Sequence, residues 1–334
     1  MKPILLNSET VLGAMSLEKN GEFIIPWRIF YEEKDFYTPD QLDGTVEIPA
    51  GVRITFETNS PKLTVELAAS DAELAFDLVV DGEYVKTILV SPGDTSFTVD
   101  RLLASHKLVE IYLSQQQKVA LRQVSIADDA EWNAYPSERK KWLSYGSSIT
   151  QCREAESPSK TWPALTAAKM DVDLTCLGFS GQCHYETMIA RMIRDTPVDF
   201  ISLCAGINIY GANSYNERTF QATIIGFIKI IREKQRTVPI VLSSPIYGAF
   251  REETPNLVGF TLIEMRQQVQ EIVEIFRKNG DENLFYVNGL DILGQDDQHL
   301  LPDDLHPNAE GYQLMGRKYA HEYKNYFIDG DEDK

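Results

Sequence analysis

Trp142-Leu143-Ser144-Tyr145-Gly146-Ser147-Ser148-Ile149-Thr150 is the stretch on which the fold of this 334-residue chain turns. Trp142–Tyr145 is short and mostly apolar and reads as a strand. A polar loop follows it, and a helical pattern runs over Thr161–Met170. A serine at the tip of such a strand, Ser148, can expose its hydroxyl while the strand fixes its backbone. Open α/β sheets carry their reactive groups there, at the carboxyl ends of strands. Taken alone the stretch is better read as an ordinary strand-to-helix turn, because Gly and Ser are common turn residues. The rest of the chain shifts that balance.

Downstream, strand and helix patterns alternate. Strands are expected at Asp173–Leu177, Val198–Cys204, Val238–Ser243 and Leu284–Val287. Helices are expected at Tyr185–Arg194, Tyr215–Glu233, Thr261–Asn279 and from Ala309 to about Tyr326. Five short Val/Ile/Leu-rich strands separated by helices predict a parallel sheet covered on both faces. Right-handed crossovers then give a doubly wound, three-layer, flavodoxin-like domain.

Upstream, to about Asp128, the pattern has period two or short apolar runs between turn residues. Phe23–Trp27, Ser96–Val99, Val109–Leu113 and Val119–Ile126 read as strands. So do Gly44–Ile48 paired with Val52–Phe56, and Leu63–Leu67 paired with Ala75–Val80. Asp81-Gly82 is a hairpin turn signal before Tyr84-Val85. Many short strands without a long helix predict an antiparallel, jelly-roll-like sandwich. Ala127–Lys141 is polar and reads as a linker. The expected organisation is a β-sandwich over residues 1–135, an α/β domain over 136–328, and an acidic tail over 329–334 with no assigned function.

Composition narrows the function classes. The hydrophobic fraction of 43% and charged fraction of 25% are those of a globular protein with a sizeable core. The net charge of −18 argues against nucleic-acid and anionic-membrane partners, which basic patches recognise. No apolar run is long enough for a signal peptide or a membrane span. The cysteines, Cys152, Cys176, Cys183 and Cys204, fit no disulfide or zinc spacing and read as reduced, mostly buried thiols of a cytoplasmic protein.

The residues after the five strands each fit one role in acyl transfer. Ser148 follows the first. Gly178-Phe179-Ser180-Gly181 follows the second, and Gly206-Ile207-Asn208 the third. Tyr247 lies just past the fourth, and Asp303-Asp304-Leu305-His306-Pro307-Asn308 beyond the fifth. A serine hydroxyl needs a base, and His306 is the natural one. The base needs an acceptor on its other nitrogen, and Asp303 is within one turn of it, with Asp304 as the alternative. Backbone N–H groups of Ser148 and Gly181 and the amide of Asn208 could form an oxyanion hole. Glycine at 181 leaves the backbone open to substrate.

Those blocks, GSSIT, GFSG, GIN and DDLHPN, resemble in order the SGNH (GDSL-type) hydrolases, over about Trp142 to Tyr326. The resemblance implies a serine esterase with Ser148 as nucleophile, His306 and Asp303 completing the triad, and Ser148, Gly181 and Asn208 as oxyanion donors. Two positions depart from the family pattern: Ser147 stands where many members have Asp, and Ile209 replaces the Asp of a common GxND form. A β-sandwich before such a domain is similar in layout to carbohydrate esterases that remove acetyl groups. The resemblance therefore implies a small-molecule or oligosaccharide ester as partner, with self-association open, and no metal or organic cofactor. Tyr210, Tyr247 and Trp162 are candidate substrate contacts, each weighed against simple packing. His184 and His299 read as surface or loop residues. Two rival readings stand beside the acetylesterase: a lysophospholipase or thioesterase with the same chemistry, and a carbohydrate-binding protein whose second domain is inactive.

Overall fold

A computed structural model describes residues 1–327. The acidic tail expected over 329–334 lies outside the described residues. The chain divides into two compact units. One is residues 1–139 together with Glu156–Ser159; the other is Lys140–Ala155 and the chain from Lys160 onward.

The first unit holds two six-stranded sheets whose strand pairs are antiparallel. One runs Ser16–Asn20, Phe23–Trp27, Leu121–Ile126, Leu63–Leu67, Ser96–Val99, with Lys2–Ile4 also on Leu121–Ile126. The other runs Trp132–Ala134, Arg53–Thr58, Lys107–Tyr112, Leu74–Val80, Glu83–Val90, with Val11–Leu12 also on Arg53–Thr58. Alternation along Leu63–Leu67 buries Leu63, Val65 and Leu67, which join Ile54, Phe56, Phe76, Leu78 and Ile111 of the other sheet in one core. Asp81 and Gly82 both have positive φ, 51° and 80°, and close the hairpin Val80↔Glu83 as expected of a two-residue turn.

Three expectations fail in this unit. Gly44–Ile48 is no strand: Gly44 is left-handed and Thr45–Glu47 is a 3₁₀ turn, so Arg53–Thr58 pairs with long-range partners instead. Leu63–Leu67 and Leu74–Val80 do not pair; each joins a different sheet. Trp132–Ala134, placed in a linker, pairs with Phe56–Thr58. Asp77 is fully buried and accepts hydrogen bonds from Thr87 Oγ1, Ser157 Oγ, Ser159 N and Ser159 Oγ at 2.6–2.7 Å, so its charge is saturated by donors.

The second unit carries five parallel strands: β1 (Lys141–Gly146), β2 (Asp173–Gly178), β3 (Phe200–Cys204), β4 (Ile240–Ser243) and β5 (Leu284–Val287). Their order is β2-β1-β3-β4-β5, with registers such as Tyr145↔Leu177 and Tyr145↔Leu203. All of β4 and all of β1 after Lys141 are buried, as expected of strands covered on both faces. The helices are α1 (Ser148–Gln151), α2 (Trp162–Met170), α3 (Thr187–Asp195), α4 (Ile207–Ala212), α5 (Glu217–Arg232), α6 (Leu262–Lys278), α7 (Gly289–Ile292) and α8 (Ala309–Phe327). Side chains start the longer ones: Thr161 caps α2, while Asn216–Thr219 and Thr261–Glu264 form capping boxes on α5 and α6. The order reverses between β1 and β3, so their carboxyl ends form the topological switch point where open α/β sheets bind ligands.

Candidate active site

Ser148 lies at the first turn past β1. Ser147 Oγ accepts the Ile149 N–H at 3.2 Å and caps α1, which makes Ser148 the first helical residue. The main-chain N–H of such a residue has no partner within its helix and remains available. The nearby loop is held firmly: Trp162 Nε1 donates to Ile149 O at 2.8 Å, and Ser180 N and Oγ both donate to Gln151 Oε1.

The turn at 303–306 meets Ser148 from the far end of the sequence. Ser148 Oγ and His306 Nε2 are 2.8 Å apart, and His306 Nδ1 is 2.7 Å from Asp303 Oδ2. The other Asp303 oxygen accepts the N–H groups of Leu305 and His306 at 3.0 and 2.6 Å, fixing the carboxylate in place. Burial acts to raise the Asp303 carboxyl, but those donors and the imidazole outweigh it and hold it below the usual carboxylate range. An ionised Asp303 requires the proton on Nδ1, which leaves Nε2 as the acceptor facing the serine. Asp304 points elsewhere: Gln298 Nε2 approaches its carboxylate at 3.5 Å and Arg251 donates to its carbonyl at 2.8 Å.

The two other residues expected to donate, Gly181 and Asn208, follow β2 and β3, the strands on either side of β1. Gly206, at φ 110°, opens α4, and a Cβ there would sit 2.6 Å from Pro245 Cγ, so only glycine fits the turn that presents Asn208. Cys183 N–H donates to Asn208 Oδ1 at 3.0 Å. A main-chain donor needs oxygen opposite it, so this bond orients the amide and leaves Asn208 Nδ2 free to donate. Gly181 has φ 74° and open space where a Cβ would stand. His184 lies 3.0 Å from Gly181 O and 2.9 Å from Ser214 Oγ through its two nitrogens. A carbonyl only accepts, so Nε2 carries the proton toward it and steadies the Gly181 peptide. Ser148 N, Gly181 N and Asn208 Nδ2 have no hydrogen-bond partner among the described residues.

A cavity of about 30 Å³ adjoins these groups, lined by Ile149, Trp162, Asn208, Tyr247, Leu305 and Tyr319 among others. Trp162 is fully buried and stacks on Tyr319 at 4.3 Å, so it is both cavity wall and core. Tyr247 is half-buried on the same wall. Tyr210 is buried and its hydroxyl donates to Thr254 O at 2.9 Å, bracing the loop after β4. The supporting residues Gln151 and His184 carry no sequence signal, since each acts through a contact rather than a motif. None of the four cysteines forms a disulfide, and burial pushes the thiols of Cys152 and Cys183 well up, as inert packing residues require. Among the described residues no group of three or more His, Cys, Asp or Glu side chains could hold a metal ion.

The sequence model of the GDSL-like Lipase/Acylhydrolase family matches residues 139–326. The chain belongs to that family. It is an SGNH-type acyl hydrolase, an enzyme acting on carboxylic esters. The model of the SsfX3 N-terminal domain matches residues 9–122. Among solved structures, the salicylyl-acyltransferase SsfX3 from a tetracycline biosynthetic pathway is 33% identical at a TM-score of 0.89, covering 96% of this chain and 95% of that one. A family two carbohydrate esterase from Clostridium thermocellum is 17% identical at a TM-score of 0.63, covering 93% and 98%. An acetyl xylan esterase from Butyrivibrio proteoclasticus is 14% identical at a TM-score of 0.62, covering 96% of each. These two share the fold. Among curated proteins no sequence matches. Among the described residues no helix is long and apolar enough to cross a membrane.

Proposed function

We propose that this GDSL-type enzyme hydrolyses short acyl esters, acetyl esters of sugars above all, with Ser148 as nucleophile, His306 as general base and acid, and Asp303 orienting the imidazole. The carrying observation is the unbroken relay from Ser148 Oγ through His306 to Asp303 at 2.8 and 2.7 Å. Ser148 Oγ adds to the ester carbonyl carbon as its proton passes to His306 Nε2. The carbonyl oxygen takes up the negative charge and is held by Ser148 N–H, Gly181 N–H and Asn208 Nδ2–H. Collapse breaks the bond to the alcohol oxygen, which leaves with the proton from Nε2. Water then gives a proton to Nε2 and its oxygen to the acyl carbon, and Ser148 recovers its hydrogen as the acid departs.

The cavity of about 30 Å³ suits an acyl group of very few heavy atoms, since one water already needs roughly 10–15 Å³. That favours acetyl over a lysophospholipid chain. The sugar is supported by the fold shared with carbohydrate esterases, which is analogy. Four cysteines outside any disulfide support a cytoplasmic setting. A second reading has a specific observation behind it: the 33% identity over nearly the whole chain to an acyltransferase. In that reading an alcohol replaces water in the second half-reaction, with the same residues in the same roles.

Ser148→Ala is expected to lower kcat for p-nitrophenyl acetate by about 10⁴–10⁶-fold with the fold intact. Retention of wild-type turnover would remove Ser148 from the mechanism. A screen of acetylated saccharides against p-nitrophenyl acetate and octanoate, with free acid and acylated alcohol both quantified, separates acyl length and hydrolysis from transfer.

A further inference from the structure

We propose that the depression bounded by Tyr247, Phe250, Glu253, Leu290, Gln295 and Gln298 is the subsite for the alcohol half of the reaction, built for a neutral polyhydroxy compound of sugar type. The assignment rests on the acyl-transfer reading of Ser148, and adds to it the place and chemistry of the group that leaves or accepts.

Position is the first argument. Tyr247 lines both this depression and the small cavity beside Asn208. Gln298 on one side approaches the Asp304 carboxylate at 3.5 Å, and Arg251 donates to Asp304 O at 2.8 Å, so the depression abuts the turn that carries Asp303 and His306. An alcohol bonded to an acyl carbon at Ser148 must lie to one side of that turn, and here the adjoining space is about 650 Å³, the size of a small-molecule site.

Its construction is the second argument. The wall is rigid: Arg266, buried, donates to both Glu252 oxygens at 2.5 and 2.7 Å and to Pro245 O at 2.9 Å, while Glu252 also accepts Gly248 N–H at 2.8 Å. Pro245 lines the small cavity, so one network supports both spaces. With Arg266 neutralised by Glu252, the remaining charge on the lining is the carboxylate of Glu253, which disfavours phosphates and carboxylates as occupants.

The third argument is the unspent chemistry. The Tyr247 hydroxyl, the Glu253 carboxylate and the Gln295 amide make no hydrogen bond among the described residues, and Gln298 makes only the 3.5 Å contact. Phe250 and Leu290 stay 59% and 36% exposed beside them. An apolar face with hydroxyl-bonding amides and a carboxylate around it suits a sugar, which presents C–H faces and a rim of hydroxyls. Because deacylation by an alcohol reverses acylation, one subsite serves the leaving alcohol and an accepting one.

The test uses the full chain and its Glu253→Ala/Gln295→Ala variant, with acetylated methyl glucopyranoside and ethyl acetate as substrates. Both altered side chains are exposed, and Tm verifies folding; Phe250→Ala is the independent second variant. The ratio of kcat/KM for the glucoside ester to that for ethyl acetate is expected to fall tenfold or more in each variant, with the loss in KM. In a second arm, free methyl glucopyranoside is added to p-nitrophenyl acetate. Wild type forming the acetylated glucoside, with the variants forming tenfold less, extends the subsite to accepting alcohols. An unchanged ratio in both variants overturns the polyol subsite while leaving the Ser148 reading in place. Full ethyl acetate turnover by Ser148→Ala overturns the reading beneath it instead.

Discussion

Asn208 has one side of its amide tied and the other free. Cys183 N–H holds Oδ1, and Nδ2 has no partner among the described residues. Asn208→Ala is therefore expected to cost about 10²–10³-fold in kcat with little change in KM, because an oxyanion donor acts on charge that develops only in the transition state. Steady-state kinetics on p-nitrophenyl acetate check this; a loss confined to KM would make Asn208 a ground-state contact. At this scale the sequence was most legible where a residue type does the chemistry. Ser148, His306 and Asp303 could be put forward because few side chains can attack, shuttle a proton or orient an imidazole, and the fold brings the three within hydrogen-bond distance. Gln151 and Arg266 could not, since their importance lies in contacts with Ser180 and Glu252 that no spacing announces. Nor could the packing of Tyr210 be named, since a strand-end tyrosine packs or projects according to neighbours such as Thr254.

The loop after β2 shows how one element can be tuned by a single carboxylate. Tyr145 OH accepts Tyr185 N–H at 3.1 Å and donates to Glu186 Oε2 at 2.9 Å. Burial raises the Glu186 carboxyl above its ordinary 4.5, against the hydrogen bonds that lower it. A folded-state pKa above the unfolded one gives stability that is full below the unfolded value and is lost as pH rises through the folded value. Glu186→Gln keeps an acceptor for Tyr145 and removes the charge. It is expected to raise Tm at pH 8 and to have no effect near pH 4, as thermal melts at the two values would read. A destabilised variant at pH 8 would mean that the charge itself holds the loop. Long elements were legible because they announce themselves twice: α6 has both a helical period and the Thr261–Glu264 box. The one-turn helices α1, α4 and α7 were not, because four to six residues cannot display a period. Pairing partners in the sandwich were also hidden, since Arg53–Thr58 finds Lys107–Tyr112 across a span that local alternation does not encode.

For the whole molecule, alternation of strand and helix after Trp142 was enough to fix a parallel sheet, and chirality and crossover rules did the rest. The β2-β1-β3-β4-β5 order puts Ser148 and Asn208 on neighbouring strand ends, which no single motif states. The net charge of −18 also acts at this scale. It repels anionic esters over distances that salt shortens, from a Debye length of about 30 Å at ~0.01 M to about 8 Å at ~0.15 M. The kcat/KM for an anionic acetyl ester is accordingly expected to rise with salt over that range while that for a neutral ester stays level. Equal salt responses would show that the field does not reach the site.

Intact-mass and peptide analysis after treatment with a fluorophosphonate tests the Ser148–His306–Asp303 relay most directly. One adduct per chain is expected, on the peptide containing Ser148, formed quickly by wild type, very slowly by His306→Ala and not at all by Ser148→Ala. A folded wild-type protein that takes no label, or takes it on another serine while still cleaving p-nitrophenyl acetate, would contradict the assignment.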